Sequence, residues 1–278
     1  MLNILKAALL GFIEGVTEWL PISSTGHLIL ANEFIHLDAS DAFLEMFDVV
    51  IQLGAILAVV VLFWNRLWPF CWRRDQHGLD RFCKHDVWQM WFKVLVACIP
   101  TVVIGGLLED RFHALFYAPV PVAVALIAVG VLFLVVETWN KGRRPRVKSI
   151  GRMSWGMAIV IGLWQTLAAL FPGTSRSGAT IVGALLLGIS RTTAAEFTFF
   201  LAVPVMFGAS LLKLVKFGFA FSGMELAVLL TGMLVAFAVS LLVIRFLMNY
   251  IKKHDFKPFG WYRIALGIVV LVYFLVLK

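Results

Sequence analysis

Glu14 and Glu18 stand four residues apart just ahead of Pro21, a spacing that puts both carboxylates on one face of a helix. The turn that follows, Ser23-Ser24-Thr25-Gly26-His27, supplies three hydroxyls where a helix cap needs one. It also supplies a glycine that permits close backbone approach and an imidazole able to exchange protons near neutral pH. Much later, Pro172-Gly173-Thr174-Ser175-Arg176-Ser177-Gly178-Ala179-Thr180 repeats the hydroxyl-rich turn with a guanidinium inside it. The planar fork of an arginine binds phosphate oxygens in pairs, and the helix expected after the turn presents its positive dipole end. The ligand predicted from these residues is a phosphate or diphosphate. Ser24 is the candidate attacking hydroxyl, and His27 or a glutamate the base that activates it. Arg176 and backbone amides would hold the negative charge of the transition state. Water as nucleophile, with Glu18 or His27 as base and Ser24 only orienting the phosphate, fits the same residues. An ion pair of Arg176 with Glu14 or Glu18 would staple the two turns together even without ligand.

These turns lie in a chain that is otherwise apolar. Of 278 residues, 61% are hydrophobic and 14% charged, with mean hydropathy +0.93, against about 25% charged in ordinary globular chains. An all-α polytopic membrane protein is predicted. Six runs are long enough to cross the hydrocarbon layer: Ala42–Trp64, Trp91–Asp110, Pro119–Thr138, Thr192–Val215, Met224–Leu247 and Gly260–Leu277. Broken helices survive in lipid only when buried in protein or lining a polar cavity, so the two interrupted stretches must face each other or a ligand. An ionisable group at mid-membrane costs roughly 2.5–3.5 kcal/mol on insertion scales, so Glu14 and Glu18 are poor candidates for passive residues.

The net charge of +8 sits in loops beside the spans, which favours a membrane surface over nucleic acid. Arg66, Arg73, Arg74, Arg81 and Lys84 fill one loop, Lys141, Arg143, Arg144, Arg146, Lys148 and Arg152 a second, and Lys252, Lys253 and Lys257 a third. All three fall on the cytoplasmic side only if each interrupted stretch enters and leaves on its own side, as a re-entrant helix-turn-helix hairpin. Both termini then lie outside the cytoplasm. An offset of 151 residues aligns Gly11 with Gly162, Pro21 with Pro172, Ser24 with Ser175 and Glu45 with Glu196. Each half therefore holds one hairpin and three crossings, an inverted-topology repeat. The expected units are a first repeat, 1–139, with its hairpin over 2–36, a basic cytoplasmic linker, 140–153, and a second repeat, 154–278, with its hairpin over 154–188. A cleavable signal peptide is not expected, because Lys6 is followed by only a short apolar run before Glu14. Cys71, Cys83 and Cys98 share no metal-ligand spacing. Glu137, Lys213 and Lys216 receive no role, and Trp19, Trp64, Trp68 and Trp91 read as interface belt or packing.

The chain resembles the undecaprenyl-diphosphate phosphatases, also known as bacitracin-resistance phosphatases, through EGVTEWLPISSTGH from Glu14 to His27 and PGTSRSGAT from Pro172 to Thr180. Val50–Gly54 and Glu196–Pro204 extend the likeness over essentially the full length. The resemblance implies removal of the terminal phosphate from a C55 polyprenyl diphosphate, which regenerates the lipid carrier for cell-wall synthesis and confers bacitracin resistance. It further implies an inner-membrane location and a site open to the periplasmic side. The family's functional positions fall on Glu14, Glu18, Ser24, His27 and Arg176, with Ser175, Ser177 and Thr180 in the second motif. Ser23, Thr25, Gly26 and Gly173 complete the expected diphosphate-binding set. Glu14 and Glu18 beside a diphosphate suit magnesium or calcium, and could equally position protons. No organic cofactor is expected. The partners are the polyprenyl diphosphate and membrane lipids, and the sequence allows a homodimer. Acid-phosphatase-like lipid phosphatases share a Ser-Gly-His element resembling Ser24–His27, but no downstream His and Asp follow Ser175-Arg176 here. Inverted repeats with broken helices also occur in transporters, so a lipid flippase is the rival to an enzyme.

Overall fold

Backbone amides and carbonyls have no water to bond in hydrocarbon, so a chain this apolar must satisfy them within helices. The computed structural model describes residues 1–71, 82–218 and 220–277, and in these it is all-helical apart from two isolated bridges, Phe70 with Cys83 and Val147 with Ile189. Arg73, Arg74 and Arg81 of the first basic loop lie outside the described residues.

The first interrupted stretch forms α1 (Leu2–Thr17) and α2 (Ser24–Asn32). Next come α3 (Asp41–Leu62), the single turn α4 (Trp64–Leu67), and α5 (His85–Pro100), which passes through a wide turn at Thr101–Gly105 into α6 (Gly106–Phe116). After α7 (Pro119–Trp139), the second interrupted stretch forms α8 (Trp155–Leu170) and α9 (Arg176–Leu186). The chain ends with α10 (Arg191–Phe217), α11 (Gly223–Tyr250) and α12 (Lys257–Val272). Starts are marked by the expected chemistry. The hydroxyls of Ser40, Ser154, Ser190 and Ser222 accept from the amides of Phe43, Met157, Thr193 and Glu225, and α7 and α12 carry proline in their first turn.

Six helices are long and apolar enough to cross a membrane: Asp41–Leu62, His85–Leu108, Pro119–Trp139, Arg191–Phe217, Gly223–Tyr250 and Lys257–Val276. They match the six predicted runs, with the second beginning at His85 rather than Trp91. Leu57, Val61, Val135, Leu234 and Leu242 project outward from them, an apolar surface suited to lipid.

The packing exchanges partners between the halves. α3 lies against α10 and α7 against α12, while α1 packs on α11 and α8 on α5. Two glycines set how closely α1 and α8 seat. A Cβ on Gly11 would lie 2.4 Å from the carbonyl oxygen of Gly232, and one on Gly162 would lie 2.2 Å from that of Ala97. Only hydrogen fits at either place, so backbone meets backbone. Trp19 is fully buried and meets Phe199 edge-on at 5.2 Å, which makes it packing rather than interface belt.

The basic loops gather at one end of the bundle. Arg66 pairs with Glu196, and Lys93 Nζ donates to the carbonyls of Ile150 and Gly151 at 3.1 and 3.0 Å. Glu137 is buried there, accepts from Arg191 Nε at 2.8 Å, and accepts from the Phe256 amide at 3.0 Å. The residue given no role by its sequence thus ties the ends of α7, α10 and the α11–α12 connection. At the other end Asn3 Nδ2 donates to the Asp38 carbonyl at 3.0 Å and Lys213 pairs with Glu45 at 3.3 Å.

Gly11→Val and Gly162→Val should each destabilise the fold by roughly 1–3 kcal/mol through overpacking. Gly208→Ala, where an added Cβ meets nothing within 4 Å, should be neutral. Thermal unfolding in detergent followed by circular dichroism checks this, and equal midpoints for all three variants would contradict the close approach.

Candidate active site

Each interrupted stretch fails as a continuous helix at a proline and restarts at a serine. α1 ends at Thr17, the chain turns through Pro21, and α2 restarts after Ser23, whose hydroxyl accepts from the Gly26 amide at 3.5 Å. α8 ends at Leu170, the chain turns through Pro172-Gly173, and α9 restarts after Ser175, whose hydroxyl accepts from the Gly178 amide at 3.2 Å. Ser23 has φ 73° and Ser175 has φ 68°, and among the described residues no other non-glycine has positive φ. Side chains rarely adopt that region, so both turns hold strain that their surroundings must enforce.

Ser175 shares its cap position and positive φ with Ser23, while the offset of 151 pairs it with Ser24. Ser24 and Arg176 are each the first residue of the helix that follows the cap.

Those two residues meet on one carboxylate. Glu18 Oε1 accepts from Arg176 Nη2 at 2.8 Å, and Glu18 Oε2 accepts from Ser24 Oγ at 3.0 Å. The side chains of Arg176 and Glu18 are 14% and 9% exposed, so the pair is largely desolvated. The staple weighed from the sequence exists, and its carboxylate is Glu18. Some atoms beside it remain uncommitted. Arg176 Nη1 and both carboxylate oxygens of Glu14 are buried without a hydrogen-bond partner. Buried polar groups are nearly always bonded, and an unsatisfied one costs about 1–3 kcal/mol, more when charged. A guanidinium edge left open where two helix N-termini converge is what an anionic ligand would complete, and the open Glu14 carboxylate is what a cation or a proton would complete.

Other predicted ligands have protein partners. Ser177 is buried and donates to the carbonyl of Glu18 at 3.2 Å, binding one turn to the other. Thr180 donates to the Arg176 carbonyl at 2.8 Å and lies 2.9 Å from Thr198 Oγ1 on α10. Ser23 is buried as a cap, and Ser175 Oγ lies 3.1 Å from Ser177 Oγ. Gly26 is small because a Cβ there would meet Leu126 at 2.8 Å, and Gly173, at φ 90°, because one would meet the Val122 carbonyl at 2.6 Å. These residues build the turns. Thr25 is half-buried beside Ser24. Both ring nitrogens of His27 bond groups other than Ser24 Oγ: Nδ1 lies 2.7 Å from the Ser23 carbonyl oxygen and Nε2 lies 2.7 Å from the Tyr262 hydroxyl. The base within reach of Ser24 is Glu18.

Arg263, which its sequence context alone does not tie to either motif, is central in the structure. It is fully buried on α12 and donates to the carbonyls of Pro21 at 3.2 Å, Gly173 at 2.9 Å, Thr174 at 2.9 Å and Leu126 at 3.4 Å. One side chain thus satisfies carbonyls that both breaks leave without a helical donor. A lone arginine inside an apolar run was the signal that could have found it.

Among the described residues, no group of three or more His, Cys, Asp or Glu could hold a metal ion by itself. Glu14 and Glu18 supply two carboxylates, a donor set suited to magnesium when substrate oxygens and water complete the shell.

Arg263→Met should free both turns, because each carbonyl left without a donor costs about 1–3 kcal/mol. The expected result is a lower unfolding midpoint and faster amide exchange at residues 18–23 and 171–178. Arg245→Met, an exposed site on α11, should leave both unchanged. Protection at the two turns that survives loss of Arg263 would contradict its role.

Comparison with known proteins agrees with these motifs over nearly the whole chain. A family profile described as Bacitracin resistance protein BacA matches residues 7–269. An undecaprenyl-diphosphatase of Desulfitobacterium hafniense is 62% identical over 274 residues, covering 99% of this chain and 97% of that one. Undecaprenyl-diphosphatase 1 of Clostridium acetobutylicum is 58% identical over 275 residues, covering 99% and 98%. An undecaprenyl-diphosphatase of Enterococcus faecalis is 58% identical over 271 residues, covering 98% and 97%. With its two broken helices meeting at Glu18, Ser24 and Arg176, the chain belongs to the BacA family of bacitracin resistance proteins.

Proposed function

We propose that this chain is a membrane phosphatase that removes the terminal phosphate of undecaprenyl diphosphate, the activity in the printed names of its relatives. The product, undecaprenyl phosphate, is the lipid carrier reused in cell-wall synthesis. One observation carries the reading: Ser24 and Arg176, a nucleophile and an anion-binding fork, share the Glu18 carboxylate, with Arg176 Nη1 uncommitted beside them.

Ser24 Oγ attacks the terminal phosphorus, and its proton passes to Glu18. The bond from phosphorus to the bridging oxygen breaks, and undecaprenyl phosphate departs with that oxygen. Water then releases phosphate from the serine. Arg176, with the amide ends of α2 and α9, holds the equatorial oxygens as charge spreads over them. As the phosphate competes for the guanidinium, Glu18 is released to act as base. His27, held by Ser23 and Tyr262, fixes the first turn of α2 and so aims Ser24. Glu14 and Glu18 would hold a magnesium or calcium ion, which when bound supplies positive charge against the diphosphate. The isoprenoid tail stays in the bilayer while the head group reaches the two turns.

The two broken stretches are re-entrant hairpins in an inverted repeat, with units 1–139 and 154–278 joined by the basic segment 140–153. Several contacts support this. The first hairpin begins and ends at one end of the bundle, where Asn3 bonds Asp38, while the second does so at the other, where the Arg146 amide donates to Gly188 at 2.8 Å. α1 with α11 mirrors α8 with α5, and Glu45 with Lys213 mirrors Glu196 with Arg66. The basic end is cytoplasmic by the positive-inside rule, which puts both termini on the periplasmic side of the inner membrane, the side to which the family resemblance has the site open.

Purified protein should release phosphate from C55 diphosphate, and Arg176→Ala or Glu18→Ala should each lower kcat by about 100-fold to 1,000-fold. His27→Ala, one contact removed from the nucleophile, should lose less. Lipid translocation without phosphate release would identify the flippase instead. Rapid quenching with labelled diphosphate should trap label on Ser24, and an unlabelled serine under trapping conditions would assign the attack to water. Rigorous chelation should abolish turnover and magnesium restore it; full activity after chelation would assign Glu14 and Glu18 to proton handling alone.

A further inference from the structure

At the basic end of the bundle, far from the two turns, lies a cavity of about 760 Å³ bounded by the segment after α7, the α9–α10 connection and the start of the α11–α12 connection. α9 runs from Arg176 in the candidate active site to Leu186 on the cavity wall, a separation of about 15 Å at helical rise. The volume is within the range of small-molecule sites.

Its walls are fixed by the backbone. The amide of Arg146 donates to the Gly188 carbonyl at 2.8 Å, and the Ser190 amide donates to the Val147 carbonyl at 2.8 Å. Asn140 Nδ2 caps the Leu185 carbonyl at 3.2 Å. Five cations line the space, Arg143, Arg144, Arg146, Arg191 and Lys252, against one carboxylate, Glu137. That carboxylate is already consumed by Arg191. Arg143 stacks 4.3 Å over the Trp139 ring, and among the described residues Arg143, Arg144 and Arg146 have no carboxylate partner. Charge bias toward the cytoplasm explains how many basic residues this loop carries. It does not explain why three arginines converge on a cavity that also presents an apolar patch, Trp139, Leu186 and Ile251, beside the polar Asn140, Ser190 and Thr192.

We propose that this cavity is a second anion site that binds a phosphate-bearing head group, with the arginines on the phosphate and the apolar wall against the adjoining glycerol and acyl carbons. Basic pockets between membrane helices on the cytoplasmic side select anionic head groups by this combination. The site is separate from the phosphatase machinery, and its occupancy does not depend on the diphosphatase reading.

The test compares two triple variants of the full chain in uncharged detergent. R143Q/R144Q/R146Q removes the arginines that line the cavity, and K141Q/K148Q/R152Q removes equal charge from the same segment outside it. Phosphatidylglycerol binding, measured by native mass spectrometry, should weaken about 100-fold in the first variant and little in the second, since each basic contact contributes about fivefold. The single substitutions R143Q and R144Q, each expected to weaken binding about fivefold, serve if the triple does not fold. Displacement of the lipid by millimolar inorganic phosphate, with direct phosphate binding, would make free phosphate the ligand of the same site. Failure of phosphate to displace it would make the ligand the lipid head group. Equal losses in both triples, or none in the first, would overturn the proposal by reducing the effect to diffuse surface charge. Phosphate release from C55 diphosphate, run on the same samples, should be unchanged in both variants, so a failed pocket and a failed phosphatase assignment give different readings.

Discussion

Two helices can break inside an apolar bundle here because one buried guanidinium answers for both of them. Arg263 spans from Pro21 on one turn to Gly173 and Thr174 on the other, donating to carbonyls that no helical amide can reach. Unsatisfied, those carbonyls would carry a desolvation cost that apolar surroundings cannot relieve. Satisfied together by one rigid fork, they fix the distance between the turns. Everything chemical follows from that distance. Ser177 can then bond across to the Glu18 carbonyl, and Glu18 can face Arg176. The backbone contacts at Gly11 and Gly162 hold α1 against α11 and α8 against α5 while this happens.

The Glu18–Arg176 pair is well suited to being exchanged rather than kept. A buried ion pair gains little net stability, because desolvating both charges offsets most of their attraction. A diphosphate that offers more negative charge and more oxygens than a carboxylate can displace Glu18 from the fork, and the loss of one partner frees the other for proton transfer. Strain at Ser23 and Ser175 serves the same arrangement. By taking positive φ, both serines start a new helix at once, so that Ser24 and Arg176 stand at the first helical position with amides directed at the same space.

The six crossings were legible because hydropathy over about 20 residues has one physical cause, and their ends agree with the runs to within a few residues. His85, Asp86 and Gln89 hid the true start of the second crossing, since polar first turns fall outside an apolar window. The two turns were legible because proline, glycine and hydroxyls have little other reason to interrupt such helices. The position of their caps was not. An offset of 151 fits Gly11 with Gly162 and Pro21 with Pro172, and nothing in composition tells which of two adjacent serines caps a helix. Hydroxyls posed the same problem: Ser177 and Thr180 look alike in sequence whatever they bond, and only packing shows the carbonyls of Glu18 and Arg176 that accept from them. Arg263 was visible as a charge in an apolar run, yet averaging over the window concealed it. Glu137 was hidden because its partner, Arg191, is 54 residues away.

The chemistry depends on where the head group binds. A structure determined with a non-hydrolysable methylene-diphosphonate analogue of the C55 lipid tests this most directly. The prediction is phosphonate oxygens on both nitrogens of the Arg176 fork, Ser24 Oγ facing the terminal phosphorus, and Glu18 released from the guanidinium. A head group bound away from the two turns, with the Glu18–Arg176 pair intact, would contradict it.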